Sequence, residues 1–142
     1  MAAPDQGWDH FEVDADVGVR AWGGSRAAAF AQAALGVLAL IVDPPSVRSR
    51  ESREVRAQAE TAETLLAAWI DECLYVHEIE GFVACDVEVT ECSETVVHGR
   101  LLGEPIEPSR HRLGTVVKGA TLHGISITTD GDRHHARIIV DV

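Results

Sequence analysis

The sequence predicts an α+β fold in which two helices pack on a largely antiparallel, mixed β-sheet. Apolar residues recur at i, i+3, i+4 spacing in only two segments, within residues 29–41 and 65–74, the signature of helices with one buried stripe. Most other apolar residues alternate with polar ones, the period of half-buried strands. No Pro, Gly or Ser stretch among the 142 residues is long enough for a linker, so residues 1–142 read as one domain.

Residues 10–13 and 17–21 alternate polar and apolar side chains, as a strand pair or one bent strand on either side of Asp14-Ala15-Asp16. After Gly23-Gly24, Ser25 is a good N-cap for a helix whose stripe is Ala29, Phe30, Ala33, Ala34, Val37, Leu38 and Ile41. Asp43-Pro44-Pro45 ends that helix, because proline disfavours helical backbone in the residue before it. Residues 53–59 form a short strand with one wet face. Thr61 caps the second helix, Leu65, Leu66, Trp69, Ile70, Cys73 and Leu74 form its stripe, and Gly81 closes it.

The period then switches to two. Val83, Cys85, Val87 and Val89 point one way, and residues 95–102 return as the antiparallel partner across a turn at Ser93. Residues 103–113, with Pro105, Pro108 and several charges, read as a surface loop. Residues 115–122 and 125–129 read as strands. Asp130-Gly131 suggests a type I′ turn leading into a last strand, residues 136–142.

Composition narrows function. A hydrophobic share of 46% supplies a core, and an aromatic share of 5% leaves aliphatic side chains and alanine to fill it. With 23 acids against 12 bases the net charge is −11, which opposes direct nucleic-acid binding, since phosphate contacts depend on Lys and Arg. An acidic protein still serves RNA metabolism by docking on a basic enzyme. No secretory signal is read in residues 1–9, and the apolar run at 27–42 is too short to span a bilayer, so a cytoplasmic protein is expected. Cys73, Cys85 and Cys92 lack C-x-x-C spacing and read as inert thiols.

Carboxylates carry the candidate chemistry. Asp14-x-Asp16-x-Gly18 invites comparison with a calcium loop, but an EF-hand needs glycine and glutamate where Val19 and Ser25 stand. On an extended segment Asp14 and Asp16 would share a face and suit a hard cation; the alternative is an Asp14 in a solvated turn. Asp141 closes the apolar strand ending Ile138-Ile139-Val140. If that strand lies beside the N-terminal one, Asp141 and the carboxylate of Val142 join Asp16 around one Ca²⁺, Mg²⁺ or Mn²⁺ ion; otherwise this end frays in water. Lys118 is the sole lysine beside eleven arginines and is placed mid-strand, either as a required compact ammonium or as an ordinary surface lysine. Cys73-x-x-x-His77 and His134-His135 make weak zinc candidates, since adjacent strand residues face opposite ways. No G-x-S-x-G, P-loop or G-x-G-x-x-G motif is present.

The segment Trp8-Asp9-His10-Phe11-Glu12-Val13-Asp14-Ala15-Asp16-Val17-Gly18-Val19, then Glu51-Ser52-Arg53-Glu54-Val55 and residues 65–75, resembles the archease family. So do Arg110-His111-Arg112-Leu113-Gly114-Thr115-Val116-Val117-Lys118-Gly119-Ala120-Thr121-Leu122-His123-Gly124 and residues 137–142. The resemblance implies a small α+β accessory protein, itself no enzyme, that activates the RtcB-type RNA ligase in tRNA splicing or RNA repair. That ligase joins RNA ends through a guanylylated histidine, with GTP and divalent metal. The resemblance further implies a metal site at Asp16, Asp141 and Val142, with Ca²⁺ foremost and Mg²⁺ or Mn²⁺ as alternatives, and a role for Lys118 in activating the ligase. Where the family usually has His-Thr-Ala-Asp-Val-Gly, this chain has Val13-Asp14-Ala15-Asp16-Val17-Gly18, so Asp14 is expected to add a carboxylate to the site and tighten metal binding, the alternative being that it only lines the rim. Two other readings are a chaperone-like binder of an RNA-modifying enzyme such as a tRNA methyltransferase, and a small metal-dependent hydrolase.

Overall fold

The computed structural model describes residues 5–142. Residues 1–4, part of the stretch read as lacking a signal, lie outside the described residues. The expected α+β class holds. Its strands divide into two sheets rather than one, and each sheet is antiparallel throughout.

Strands β1 (Gly7–Val13) and β2 (Asp16–Gly23) form a hairpin whose turn is Asp14-Ala15. Asp14 has φ 49°, a left-handed conformation that Asp tolerates better than most side chains. Helix α1 (Arg26–Leu38) begins as expected, with the Ser25 hydroxyl accepting the Ala28 N–H. It ends at Leu38, short of Ile41, where the N–H groups of Leu40 and Ile41 turn to the tighter i−3 carbonyls of Val37 and Leu38, and Pro44 and Pro45 offer no N–H to carry the helix on. Leu40 O and Ile41 O accept the N–H groups of Thr115 and Gly114, and Val42 bridges to Leu113. A single 3-10 turn, Pro44–Ser46, leads to β3 (Glu51–Gln58).

Helix α2 (Ala62–Glu80) carries a reciprocal Thr61/Thr64 capping box and ends at Gly81, whose φ of 61° lets its N–H reach His77 O. Strands β4 (Phe82–Cys92) and β5 (Val96–Pro105) form the expected hairpin, and β5 is the centre of the sheet β3-β5-β4. The last hairpin pairs β6 (Gly119–Asp130) with β7 (Arg133–Asp141), giving the order β1-β2-β7-β6. Asp130 pairs with Arg133, so Gly131-Asp132 are the central turn residues and only Gly131 has positive φ. That is the geometry of a type II′ turn, which needs glycine at its first central position, in place of the expected type I′.

The two strands read at 115–122 and 125–129 are one strand, β6, with an irregularity between Thr121 and Ser126. Residues 106–118 form a long strap outside both sheets, and the loop expected at 103–113 is displaced accordingly. Helix α1 packs on β2 and β7 of one sheet and β4 of the other; α2 packs on β6 and β3. The main core between them includes Phe30, Leu66, Trp69, Leu101 and Ile138. Buried Trp69 also donates its Nε1–H to Phe30 O at 3.0 Å, locking α2 onto α1.

Candidate metal centre

The four-stranded sheet sets the N-terminal hairpin beside the C-terminal strand, β2 against β7. Val19 and Ala21 of β2 face the core, as do Ala136, Ile138 and Val140 of β7, so alternation sends Asp16 and Asp141 to the outer face. Val17 pairs with Val140, and continuing that register sets Asp16 across from Asp141. Side chains in such positions have Cβ atoms roughly 4.5–5.5 Å apart. Val142 packs against the main core, so this end of the chain is held rather than frayed.

Two carboxylates opposed in this way repel each other, and a cation between them removes that repulsion. Among the described residues no three side chains from His, Cys, Asp and Glu group closely enough to hold a metal. An ion here would draw its remaining oxygens from the main chain at Val142 and from solvent, a donor set suited to a hard cation. Asp14 does not share an extended face with Asp16, because it occupies the hairpin turn.

Four residues along the same face the charge reverses. Arg20 stands directly across from Arg137, and Phe11 lies under both guanidinium groups, with Cζ atoms 5.1 and 4.6 Å from the ring centroid. Asp9 accepts Arg20 Nε at 2.8 Å, and Gly124 O accepts Arg137 at 2.6 Å. Gly18, paired with Phe11, lies between the acidic and basic pairs. A Cβ there would lie 2.1 Å from the Phe11 ring, so glycine keeps the ring flat under the two arginines.

Lys118 is not mid-strand. It is the last residue of the strap, and its backbone N–H donates to Asp141 O at 2.8 Å. The residue also lines a cleft of about 320 Å³ between α2 and the strap, together with Leu74, His77, Glu78, Leu113 and Val116. Lys118 thus links the carboxylate end of the sheet, through its backbone N–H, to the wall of a neighbouring cleft.

The strap is anchored by a buried charge cluster that sequence reasoning missed. Glu104, fully buried at the end of β5, accepts Arg110 at 2.6 and 2.9 Å, the Arg48 N–H at 2.7 Å and His111 Nε2 at 3.0 Å. The Glu107 N–H donates to His111 Nδ1, which assigns the ring hydrogen to Nε2, facing Glu104. The Arg110 guanidinium holds the Glu104 carboxyl well below the usual carboxylate range, against the opposing effect of burial. Consecutive burial of Gly103 and Glu104 breaks the alternation of β5, and only the fold reveals it.

His134 and His135 are neighbouring residues of β7, whose side chains alternate across the sheet. Cys73 is buried, which pushes its thiol well up, while His77 Nδ1 bonds to Phe82 O. Burial also raises the thiols of Cys85 and Cys92. No helix among the described residues is long and apolar enough to cross a membrane.

The profile of the Archease protein family matches residues 8–142. The chain is 34% identical to the archease of Pyrococcus abyssi over 139 residues, which cover 95% of this chain and 98% of that protein. It is also 34% identical to the archease of Sulfurisphaera tokodaii, covering 96% and 99% of the two chains. Among solved structures it is similar to Methanobacterium thermoautotrophicum protein 1598, with a TM-score of 0.78, 30% identity and coverage of 96% and 99%. The fold is shared with the Thermotoga maritima archease, described as a possible chaperone, at a TM-score of 0.59, 19% identity and coverage of 100% and 98%.

Proposed function

The chain belongs to the archease family, and on that premise we propose that it is a metal-binding accessory protein that activates an RtcB-type RNA ligase without catalysing ligation itself. The observation that carries this reading is the opposition of Asp16 and Asp141 beside Val142, with the Lys118 N–H bonded to Asp141 O. Asp16, Asp141 and a main-chain oxygen of Val142 are the ligands, and the ion is Ca²⁺, with Mg²⁺ or Mn²⁺ as alternatives. A bound ion would supply positive charge at an otherwise acidic edge. The protein's own residues do the rest: the carboxylates hold that charge at the sheet edge, and Lys118 presents an ammonium on the neighbouring cleft.

On an acidic protein these cationic features are directed to the ligase, where they help arrange metal and GTP before the ligase histidine is guanylylated. Phosphoryl and nucleotidyl transfer respond strongly to such positioning and charge stabilisation. The test is ligation by a cognate RtcB-type enzyme with excess RNA, GTP and metal, with and without the protein and its Asp16→Ala, Asp141→Ala and Lys118→Ala variants. Wild type should convert a stalled single round into repeated turnover, and each variant should lose most of that gain. A wild-type protein that does not stimulate the ligase refutes the reading.

A further inference from the structure

We infer that the cleft between α2 and the strap is the docking site for an apolar segment of the ligase that carries Lys or Arg residues; this rests on the functional reading above. The described large apolar side chains most exposed to solvent are Tyr75, Ile79, Leu113, Val116 and Leu122; Leu113 and Val116 line the cleft, and Tyr75 and Ile79 each follow a cleft-lining residue of α2, Leu74 and Glu78. Leu113 and Val116 line the cleft from the strap, with Val116 77% exposed. Tyr75 and Ile79, four residues apart, form a stripe on the solvent side of α2 beside the cleft-lining Glu78. Ile41, Leu74 and Val117 supply apolar surface within the cleft. Isolated exposed apolar residues are ordinary, but a contiguous group around a concavity marks an interaction surface.

Charge indicates the occupant. Glu72 and Glu78 flank the Tyr75–Ile79 stripe at helical spacing, and neither belongs to an ion pair among the described residues. Asp71 spends one oxygen on the Ala120 N–H, which ties β6 to α2 and keeps the cleft walls in place. An apolar stripe framed by free carboxylates is complementary to an amphipathic segment with cationic flanks, the helix-in-groove arrangement of peptide recognition. Lys118 then stands at one wall of the docking site, so an occupant reaches the lysine and the neighbouring end of the sheet together.

The experiment measures affinity for the purified ligase by calorimetry, alongside stimulation of ligation. It compares wild type, Val116→Ser, Tyr75→Ser/Ile79→Ser, Glu72→Gln/Glu78→Gln and, as an exposed apolar control outside the cleft, Leu122→Ser. Because the altered side chains are exposed, melting temperatures should stay near wild type. The apolar variants should bind at least about tenfold more weakly, the double glutamine variant should bind more weakly with a flatter salt dependence, and Leu122→Ser should match wild type. If wild type binds and stimulates while the apolar variants bind equally well, the cleft assignment fails and the functional reading survives. If wild type neither binds nor stimulates, both fail. Self-association of wild type that Val116→Ser abolishes would make a second copy the occupant and overturn the assignment.

Discussion

Val17 of β2 pairs with Val140 of β7, and the same register continued by one residue sets Asp16 opposite Asp141, on the outer surface of a sheet whose inner surface is core. Their opposition is unfavourable without a cation, so charge removal and metal addition should have opposite dependences. In chelator, Asp16→Asn should leave stability unchanged or raise it by up to ~1 kcal/mol, the usual range for a like-charged cross-strand pair. With Ca²⁺ or Mn²⁺ about a hundredfold above the dissociation constant, wild type should gain ~2.7 kcal/mol and the variant almost none. Thermal melts with and without metal read both effects; equal metal stabilisation of both proteins would remove Asp16 from the ligand set.

Asp14 occupies the turn rather than a shared face with Asp16. Calorimetric titration of Asp14→Asn with Ca²⁺ and Mn²⁺ should show a smaller loss of affinity than Asp16→Asn, as expected for a carboxylate at the rim. A loss as large as that of Asp16→Asn would make it a ligand.

Lys118 meets the carboxylate end through its backbone N–H, which donates to Asp141 O. Lys118→Ala keeps that N–H, so metal affinity should change less than about twofold, a few tenths of a kcal/mol, while ligase stimulation falls. Parallel loss of both would place the ammonium at the metal site instead.

The Glu104 cluster predicts a specific acid sensitivity. Its carboxyl titrates below the ordinary value of 4.5 in the folded protein. A depressed folded value means the stabilisation is complete above that ordinary value and is lost as pH falls below it. Wild type should therefore weaken steeply below about pH 4.5, whereas Glu104→Gln should be less stable at pH 7 and show a shallower slope in that acid range. Denaturant titrations from pH 2.5 to 7 measure both slopes, and equal slopes would show that other carboxylates dominate.

Gly103 tests the close pairing of β4 and β5, since a Cβ there would lie 1.9 Å from the Val83 carbonyl oxygen. Backbone cannot yield as a flexible side chain does, so Gly103→Ala should cost on the order of 3 kcal/mol. Gly24→Ala, with open space around the added carbon, is the matched control. Urea midpoints of the two variants should differ accordingly.

Local chemistry was legible in the chain. The Ser25 and Thr61 caps, the Gly81 stop, the two helical stripes and the β4-β5 hairpin each depend on residues within a turn or two of one another, so pattern alone located them. The carboxylates were also visible as candidates, but their meeting depended on β2 lying beside β7, a pairing between opposite ends of the chain. Tertiary structure decided the rest through competition for backbone and burial. The strap satisfied the carbonyls of Leu40 and Ile41, which Pro44 and Pro45 cannot, took Lys118 out of the expected strand, and enclosed Glu104 with Arg110 and His111. By itself the sequence determined which residues can cap, alternate or carry charge, because those are properties of neighbours. Which of them face one another, and which side of the sheet each occupies, was decided only when distant segments satisfied one another's hydrogen bonds and buried one another's apolar surface.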